Sequence, residues 1–149
     1  MSEPLKPSVI VMAEDDADDR LLVQDAMAEC HWDGDLRFVE NGEELLDYLL
    51  RRGKYALANA PRPGLILLDL NMPRKDGREA LREIKSSGDL KRIPVVVLTT
   101  SKADTDIGSI YELGANSFIA KPVQFEALVN VMKVLSQYWF RTVELAIAK

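Results

Sequence analysis

The sequence predicts an α/β fold in which a sheet of five strands, mostly or wholly parallel, carries helices on both faces. Five short aliphatic runs alternate along the chain with five stretches whose apolar residues recur at helical spacing. Several runs, including residues 65–68, are apolar without a break, as is usual for strands buried on both faces. Ligands of such sheets bind beyond the carboxyl ends of the strands, so the residues that follow each strand are the candidates for function.

Composition limits the possible functions. The 149 residues fit one domain of ordinary size, and 47% hydrophobic with 29% charged residues is typical of a soluble globular protein. A net charge of −5 argues against nucleic acid as a partner. No apolar run approaches the length of a membrane span, and the N-terminus lacks a signal-peptide pattern. The single cysteine, Cys30, cannot form an internal disulfide, which suits a cytoplasmic protein. We expect a cytoplasmic single domain without a membrane segment or an appended output module.

The first half of the chain contains two strand–helix units after a short lead-in, residues 1–7, which we expect to be disordered. The first strand, residues 9–13, ends in an acidic run in which Asp18 is the expected helix N-cap. The apolar positions of the first helix are Leu22, Val23, Ala26, Met27 and Cys30. A short strand at 36–39 follows, and Asn41-Gly42 opens a second helix that ends before Gly53.

The second half continues the alternation. Strands are expected at 65–68, 93–98 and 117–120, with helices around 80–84 and 107–111 between them. The last helix begins after Pro122, and its expected packing positions are Phe125, Leu128, Met132, Leu135 and Trp139. Residues 143–147 alternate apolar and polar side chains, which is strand periodicity. We divide the chain into a domain at 8–138 and a C-terminal extension at 139–149.

The residues at the ends of four strands should converge although they are far apart in sequence. They are Glu14 and Asp15, Asp69, Thr99, and Lys121. Three carboxylates brought together repel one another, and a divalent cation would resolve this repulsion. Oxygen ligands without histidine or cysteine favour Mg²⁺ as the cofactor.

The other residues of the cluster suit a phosphoryl group. Lys121 adds a positive charge and Thr99 a hydroxyl donor, and both suit the oxygens of a phosphoryl group. Asp69 lies at the centre and is the candidate nucleophile, because a carboxylate can accept a phosphoryl group to form an acyl phosphate.

Across residues 8–138 the chain resembles the receiver domains of two-component response regulators. The resemblance rests on the acidic pair, Asp69 within LLDLNMPRKDG, Thr99, Phe118 and Lys121-Pro122. It implies a flavodoxin-like (βα)₅ doubly wound sheet of strand order 2-1-3-4-5. It also implies that the protein is not an enzyme beyond Mg²⁺-dependent phosphorylation and dephosphorylation of its own Asp69.

The resemblance also implies roles for individual residues. Asp69 would accept a phosphoryl group from a sensor histidine kinase, with Thr99 and Lys121 binding the phosphoryl oxygens. The Mg²⁺ ligands would be Glu14, Asp15, Asp69 and the backbone carbonyl of Asn71.

In this family Thr99 and the aromatic residue at Phe118 would form the switch that repacks the face of the fourth helix, fifth strand and fifth helix. The Lys121–Pro122 bond would be cis.

The C-terminal segment allows two interpretations. The apolar stripe of the last helix can simply be the face that packs on the sheet. The alternative is that the tail docks on a second protomer, because a lone strand at 143–147 cannot bury its apolar side without a neighbour. The tail and the long loop at 54–64 are similar to those of the stand-alone receivers that partner bacterial phytochrome kinases. That similarity implies a homodimer and a light-regulated kinase.

Two other functions share part of this pattern of residues. A haloacid-dehalogenase-type phosphatase also uses an aspartate, Mg²⁺ and a lysine, but it has a second carboxylate where this chain has Asn71. A receiver-like scaffold that only binds partners would be expected to lack the aspartate, threonine or lysine. His31, the only histidine, is expected on the surface at a helix end and not in a site.

Overall fold

The computed structural model describes residues 9–57, 59–70, 72, 76–99 and 104–142. Strands β1 to β5 are Val9–Ala13, Asp35–Val39, Leu65–Leu68, Val95–Thr99 and Ser117–Ala120. Helices α1 to α5 are Ala17–Glu29, Gly42–Leu50, Gly77–Ser86, Asp104–Glu112 and Phe125–Gln137. Two short 3₁₀ turns, Gly53–Tyr55 and Leu90–Arg92, and a π-helical turn, Tyr138–Thr142, complete the described elements.

The five strands form one parallel sheet in the order β2-β1-β3-β4-β5, which confirms the predicted fold. Alternate residues of each strand enter opposite apolar layers, because successive side chains of a strand point to opposite faces. Val11 and Val97 belong to the layer under α2, α3 and α4, whereas Met12 and Leu98 belong to the layer under α1 and α5. The strand order reverses between β1 and β3, and this places a crevice at their carboxyl ends.

In the described part of the chain, helices α1, α2 and α3 begin with an acidic or amide side chain that caps the first turn. The Asn41 side chain accepts the N–H of Glu44 at the start of α2, and Asp76 accepts that of Glu79 at the start of α3. For α1 the prediction of Asp18 was wrong: Asp16 is the cap, and Oδ1 of Asp16 accepts the N–H of Asp18 at 2.8 Å. The helix begins one residue after Asp16, so Asp18 already lies inside the first turn.

Two predicted packing positions lie further out than expected. Leu22 of α1 is 44% exposed and Phe125 of α5 is 38% exposed, although the neighbouring core positions Val23 and Leu128 are buried. Only the width of the contact between a helix and its neighbours decides whether a residue at the margin of an apolar stripe is covered.

The end of α5 also differs from the regular pattern. Trp139 does not continue the helix but lies in the π-helical turn, partly buried against the layer under α1 and α5. In the same turn, Phe140 packs on Trp32 beyond the end of α1, with ring centroids 5.6 Å apart. The start of the predicted extension therefore packs on the domain. The lead-in and the strand predicted at 143–147 lie outside the described residues.

Candidate phosphoryl-acceptor site

Asp69 lies at the first position after β3, in the centre of the crevice, and is only 6% exposed. Its N–H donates to the carbonyl of Ala13 at 3.1 Å, which extends the β1–β3 ladder by one residue and fixes the backbone. Its side chain meets two of the predicted partners. Thr99 Oγ1 donates to Asp69 Oδ1 at 2.9 Å, and Lys121 Nζ lies 3.8 Å from Asp69 Oδ2. The structure thus brings together residues from the ends of three strands.

Lys121 is held in place by its backbone and by a buried ion pair. Its N–H donates to the carbonyl of Thr99 at 2.8 Å, which continues the β4–β5 ladder beyond β5. Lys121 Nζ donates to Glu14 Oε1 at 2.6 Å, and the side chains of Lys121 and Glu14 are only 11% and 1% exposed. The second carboxylate oxygen of Glu14 accepts the N–H of Asp16 at 3.2 Å. A buried carboxylate with both oxygens bonded has a defined orientation.

The electrostatics of this pair follow from burial. Loss of hydration raises the pKa of Glu14 from its ordinary value of 4.5 to about 7, because the hydrogen bond and charge of Lys121 offset only part of that cost. Burial alone would lower the pKa of Lys121, but the hydrogen bond and charge of Glu14, the charge of Asp69 and the hydrogen bond to Asp19 together raise the pKa above its ordinary value. One ammonium group therefore compensates the buried acidic cluster incompletely.

The acidic cluster has the donor set of a hard divalent cation. Glu14, Asp15 and Asp69 each offer a carboxylate oxygen, and these atoms lie within 4.8 Å of one another. Asp15 is exposed while the other two are buried, so a cation would be reached from solvent on one side only. Oxygen ligands alone fit Mg²⁺ or Mn²⁺. Asn71, the fourth predicted ligand, lies outside the described residues.

A glycine allows the next helix to start directly at the site. A Cβ atom on Gly77, the first residue of α3, would lie 2.6 Å from the carbonyl oxygen of Asp69 and 2.8 Å from the Cα of Leu70. The Gly77 N–H bonds back to the carbonyl of Leu70 at 3.3 Å. Only a residue without a side chain permits this approach.

The remaining sequence expectations have different outcomes. Phe118 is half-buried on β5 against the layer under α2, α3 and α4, and its N–H donates to the hydroxyl of Tyr111 on α4 at 3.0 Å. His31 is exposed beyond the end of α1, as expected.

The prediction of a cis bond between Lys121 and Pro122 was wrong, because that peptide bond is trans. The two isomers of an X–Pro bond differ by about 1 kcal/mol, so residue identity does not decide between them.

Asp19 is the residue of the site that the sequence did not single out. Its Oδ2 accepts a hydrogen bond from Lys121 Nζ at 3.1 Å. The acidic run after β1 could have indicated this role, because a carboxylate in the first turn of α1 lies at the same edge of the sheet as Lys121. The position where the helix begins was needed to tell Asp19 from Asp18.

The chain is similar to known proteins of one family. Residues 10–133 match the family model described as the response regulator receiver domain. The chain is 43% identical over 142 residues to the response regulator Rcp1 of Synechocystis sp., covering 95% of both chains. The crystal structure of the Mn²⁺-bound form of Rcp1 matches with a TM-score of 0.85 at 42% identity, over 95% of this chain and 100% of the other.

Two further structures match over nearly their whole length. The phosphorylated cyanobacterial phytochrome response regulator RcpA has a TM-score of 0.88 at 43% identity, with 95% of this chain and 100% of the other covered. RPA3017, a response regulator in red light signaling of R. palustris, has a TM-score of 0.90 at 34% identity, with 95% and 99% covered. Within the described residues no helix is long and apolar enough to cross a bilayer. The chain belongs to the response regulator receiver domain family.

Proposed function

We propose that Asp69 is the phosphoryl acceptor of this response regulator and that a sensor histidine kinase is the donor. The observation that supports this most directly is the buried position of Asp69 between the Thr99 hydroxyl and the Lys121 ammonium group. An oxygen of the Asp69 carboxylate would bond to phosphorus while the P–N bond of the phosphohistidine breaks. The electron pair of that bond stays on the imidazole nitrogen, and the imidazole leaves neutral because its other ring nitrogen carries a proton taken up from solvent.

The side chains around Asp69 supply charge and orientation for this transfer. Lys121 and Thr99 present N–H and O–H donors to the phosphoryl oxygens, where negative charge develops. Glu14, Asp15 and Asp69, with the carbonyl of Asn71, are the residues proposed to hold Mg²⁺. When bound, the ion would neutralise phosphoryl charge. We propose that the chemistry of the chain is phosphorylation of its own Asp69 and hydrolysis of the resulting acyl phosphate.

The test is incubation with acetyl phosphate and Mg²⁺, followed by intact-protein mass measurement. We expect one phosphoryl group on the wild type and none on Asp69→Asn. Asp18→Asn is the matched control, because Asp18 is exposed and its side chain lies outside the cluster. A phosphoryl group that persists in Asp69→Asn contradicts the assignment of the acceptor.

We propose that Thr99 and Phe118 transmit the phosphorylation. The Thr99 hydroxyl now donates to Asp69 Oδ1, and a phosphoryl group on Asp69 would offer it a more negative acceptor. Movement of Thr99 at the end of β4 would free space beside Phe118 on the adjacent strand. The rotation of Phe118 would then change the surface of α4, β5 and α5.

We further propose that the kinase is a bacterial phytochrome. The support is the similarity to the phytochrome response regulator RcpA and to RPA3017 in red light signaling. Because kinases of this kind use cytoplasmic ATP, we propose that the protein is cytoplasmic. The test measures the rate of phosphoryl transfer to this protein from purified phosphorylated phytochrome kinases and from unrelated kinases. A phytochrome kinase no faster than the others contradicts this partner.

We propose a homodimer through α4, β5, α5 and the C-terminal residues. Val134 and Tyr138 are 53% and 49% exposed and lie four residues apart, on one face of α5 and the turn that continues it. Such an apolar pair on a helix surface is suited to a two-fold contact.

Light scattering of Val134→Lys tests the dimer, with Leu50→Lys as a control of similar exposure on α2. We expect only Val134→Lys to give monomers. Deletion of residues 140–149 tests the tail, and a chain ending at Thr142 keeps the Phe140–Trp32 contact and separates the two effects. A dimer mass unchanged in all variants contradicts the proposal.

A further inference from the structure

The ammonium group of Lys121 is surrounded by three carboxylates at unequal distances. Lys121 Nζ lies 2.6 Å from Glu14 Oε1, 3.1 Å from Asp19 Oδ2 and 3.8 Å from Asp69 Oδ2. The contacts with Glu14 and Asp19 are hydrogen bonds, whereas the 3.8 Å separation from Asp69 is too long for one. Since an ammonium group has three N–H donors, Glu14 and Asp19 use two of them and one remains on the side of Asp69.

Asp19 can hold Lys121 because its own backbone is fixed. It is the third residue of α1, and its N–H donates to Oδ1 of the N-cap Asp16 at 3.1 Å. Its side chain reaches from α1 to the segment that follows β5, where it is 34% exposed against 11% for Lys121. Glu14 therefore binds Lys121 from the buried side and Asp19 binds it from the rim of the site.

We propose that Asp19 is a positioning residue for phosphoryl transfer to Asp69. By bonding one N–H of Lys121, it keeps the ammonium group from collapsing onto Asp69 and leaves the third N–H aimed where a phosphoryl oxygen must lie. A donor oriented in advance stabilises developing charge without reorganisation during the reaction. This inference rests on the proposed function of Asp69 and adds a residue to it.

If Asp19 acted only through its negative charge, its removal would change the phosphorylation rate in the opposite direction from a positioning role. Asp19 is an anion near the entry path of an anionic phosphodonor, so its removal should speed phosphorylation if it acted only through its field. Asp18 provides the comparison, because it carries the same charge one residue earlier in the same helical turn and is exposed. A positioning role predicts that removal of Asp19 slows the reaction while removal of Asp18 does not.

The experiment measures the rate of phosphorylation by acetyl phosphate with saturating Mg²⁺ in the wild type, Asp19→Asn, Asp18→Asn and Asp19→Glu. We expect Asp19→Asn to be about three- to tenfold slower at saturating phosphodonor, because the neutral amide oxygen of asparagine binds the Lys121 ammonium group less strongly than a carboxylate does. Asp18→Asn should equal or exceed the wild type. Asp19→Glu keeps the charge and should recover most of the rate. Thermal unfolding of each variant controls for folding.

A crystal structure of Asp19→Ala, which leaves no side-chain acceptor at this position, supplies a readout that does not depend on activity. We expect Lys121 Nζ to move from 3.8 Å to hydrogen-bond distance of Asp69 Oδ2. An unmoved Lys121, or an Asp19→Asn rate equal to that of Asp18→Asn, overturns the inference. If the wild type takes no phosphoryl group, the proposed function fails, and the position of Lys121 alone then decides whether Asp19 holds it.

Discussion

At Gly77 only a hydrogen atom fits between the start of α3 and the end of β3. A Cβ there would lie 2.6 Å from the carbonyl oxygen of Asp69 and 2.8 Å from Leu70 Cα, and both obstacles are backbone atoms that cannot turn away. Gly77 therefore leaves space beside Asp69 and also allows α3 to begin close to the end of β3.

We predict that Gly77→Ala lowers the free energy of unfolding by about 1–3 kcal/mol, the usual cost of forcing extra atoms into a packed region. It should also slow phosphorylation of Asp69, since the backbone that carries Asp69 must shift. Urea unfolding and the acetyl phosphate assay measure the two effects. Gly108→Ala on α4 is the control, because no atom lies within 4 Å of a Cβ there. Its stability should rise by up to about 1 kcal/mol from helix propensity.

At the scale of elements, a hydrogen bond between α4 and β5 crosses the proposed switch surface. Among the described residues, strand β5 pairs only with β4 and lies at one edge of the sheet. The hydroxyl of Tyr111 on α4 accepts the N–H of Phe118 on β5 at 3.0 Å. This bond ties the helix to the strand that carries the proposed aromatic switch.

Tyr111→Phe should speed hydrogen exchange of the Phe118 amide by up to about tenfold, because a net hydrogen bond contributes about 0.5–1.5 kcal/mol. NMR-detected exchange of the unphosphorylated protein measures it. Tyr55→Phe is the matched control, since it removes a hydroxyl that donates to Glu44 Oε2 at 2.7 Å instead. Equal exchange of the Phe118 amide in all three proteins would show that the bond contributes no protection.

For the whole molecule, the acidic cluster links folding, pH and cation binding. The pKa of Glu14 is about 7 in the fold and 4.5 without it, which is a rise and not the fall usual for a carboxyl group. The protonated form of Glu14 therefore favours the fold. Its stabilising contribution is greatest below about pH 4.5 and is lost as pH rises through about 7.

We predict that metal-free protein loses thermal stability between about pH 6 and about pH 8, and that Glu14→Gln reduces this loss. Added Mg²⁺ should raise Tm more at the higher pH, because the cation binds the ionised carboxylate and only the folded chain gathers its ligands. Calorimetry with Mg²⁺ and with a chelator makes the comparison. A gain in Tm from Mg²⁺ that is the same at both pH values would contradict a role for Glu14 as a ligand.

Much of the fold and most of the candidate site were predictable from sequence. The alternation of apolar runs with helical stripes predicts a parallel sheet, and parallel strands bring their carboxyl ends to one edge. Glu14, Asp69, Thr99 and Lys121 each follow or end such a run, and in the structure they lie together. Strand periodicity is a local property, which is why it can be read from neighbouring residues alone.

Where two local conformations were nearly equal in free energy, only the tertiary structure decided between them. Asp16 and Asp18 are both good N-caps, and the point where α1 leaves β1 selects Asp16. The Lys121–Pro122 bond is trans although either isomer is locally accessible. The exposure of Leu22 depends on how far neighbouring elements cover α1.

The sequence by itself determined the layers of the fold and the acidic, hydroxyl and ammonium groups at the edge of the sheet. The tertiary structure decided which of these groups touch. The bond from Lys121 to Asp19, which are 102 positions apart, exists only because α1 begins and β5 ends at the same edge of the sheet. Contacts between residues far apart in sequence depend on where whole elements pack, and the spacing of residues along the chain does not specify that packing.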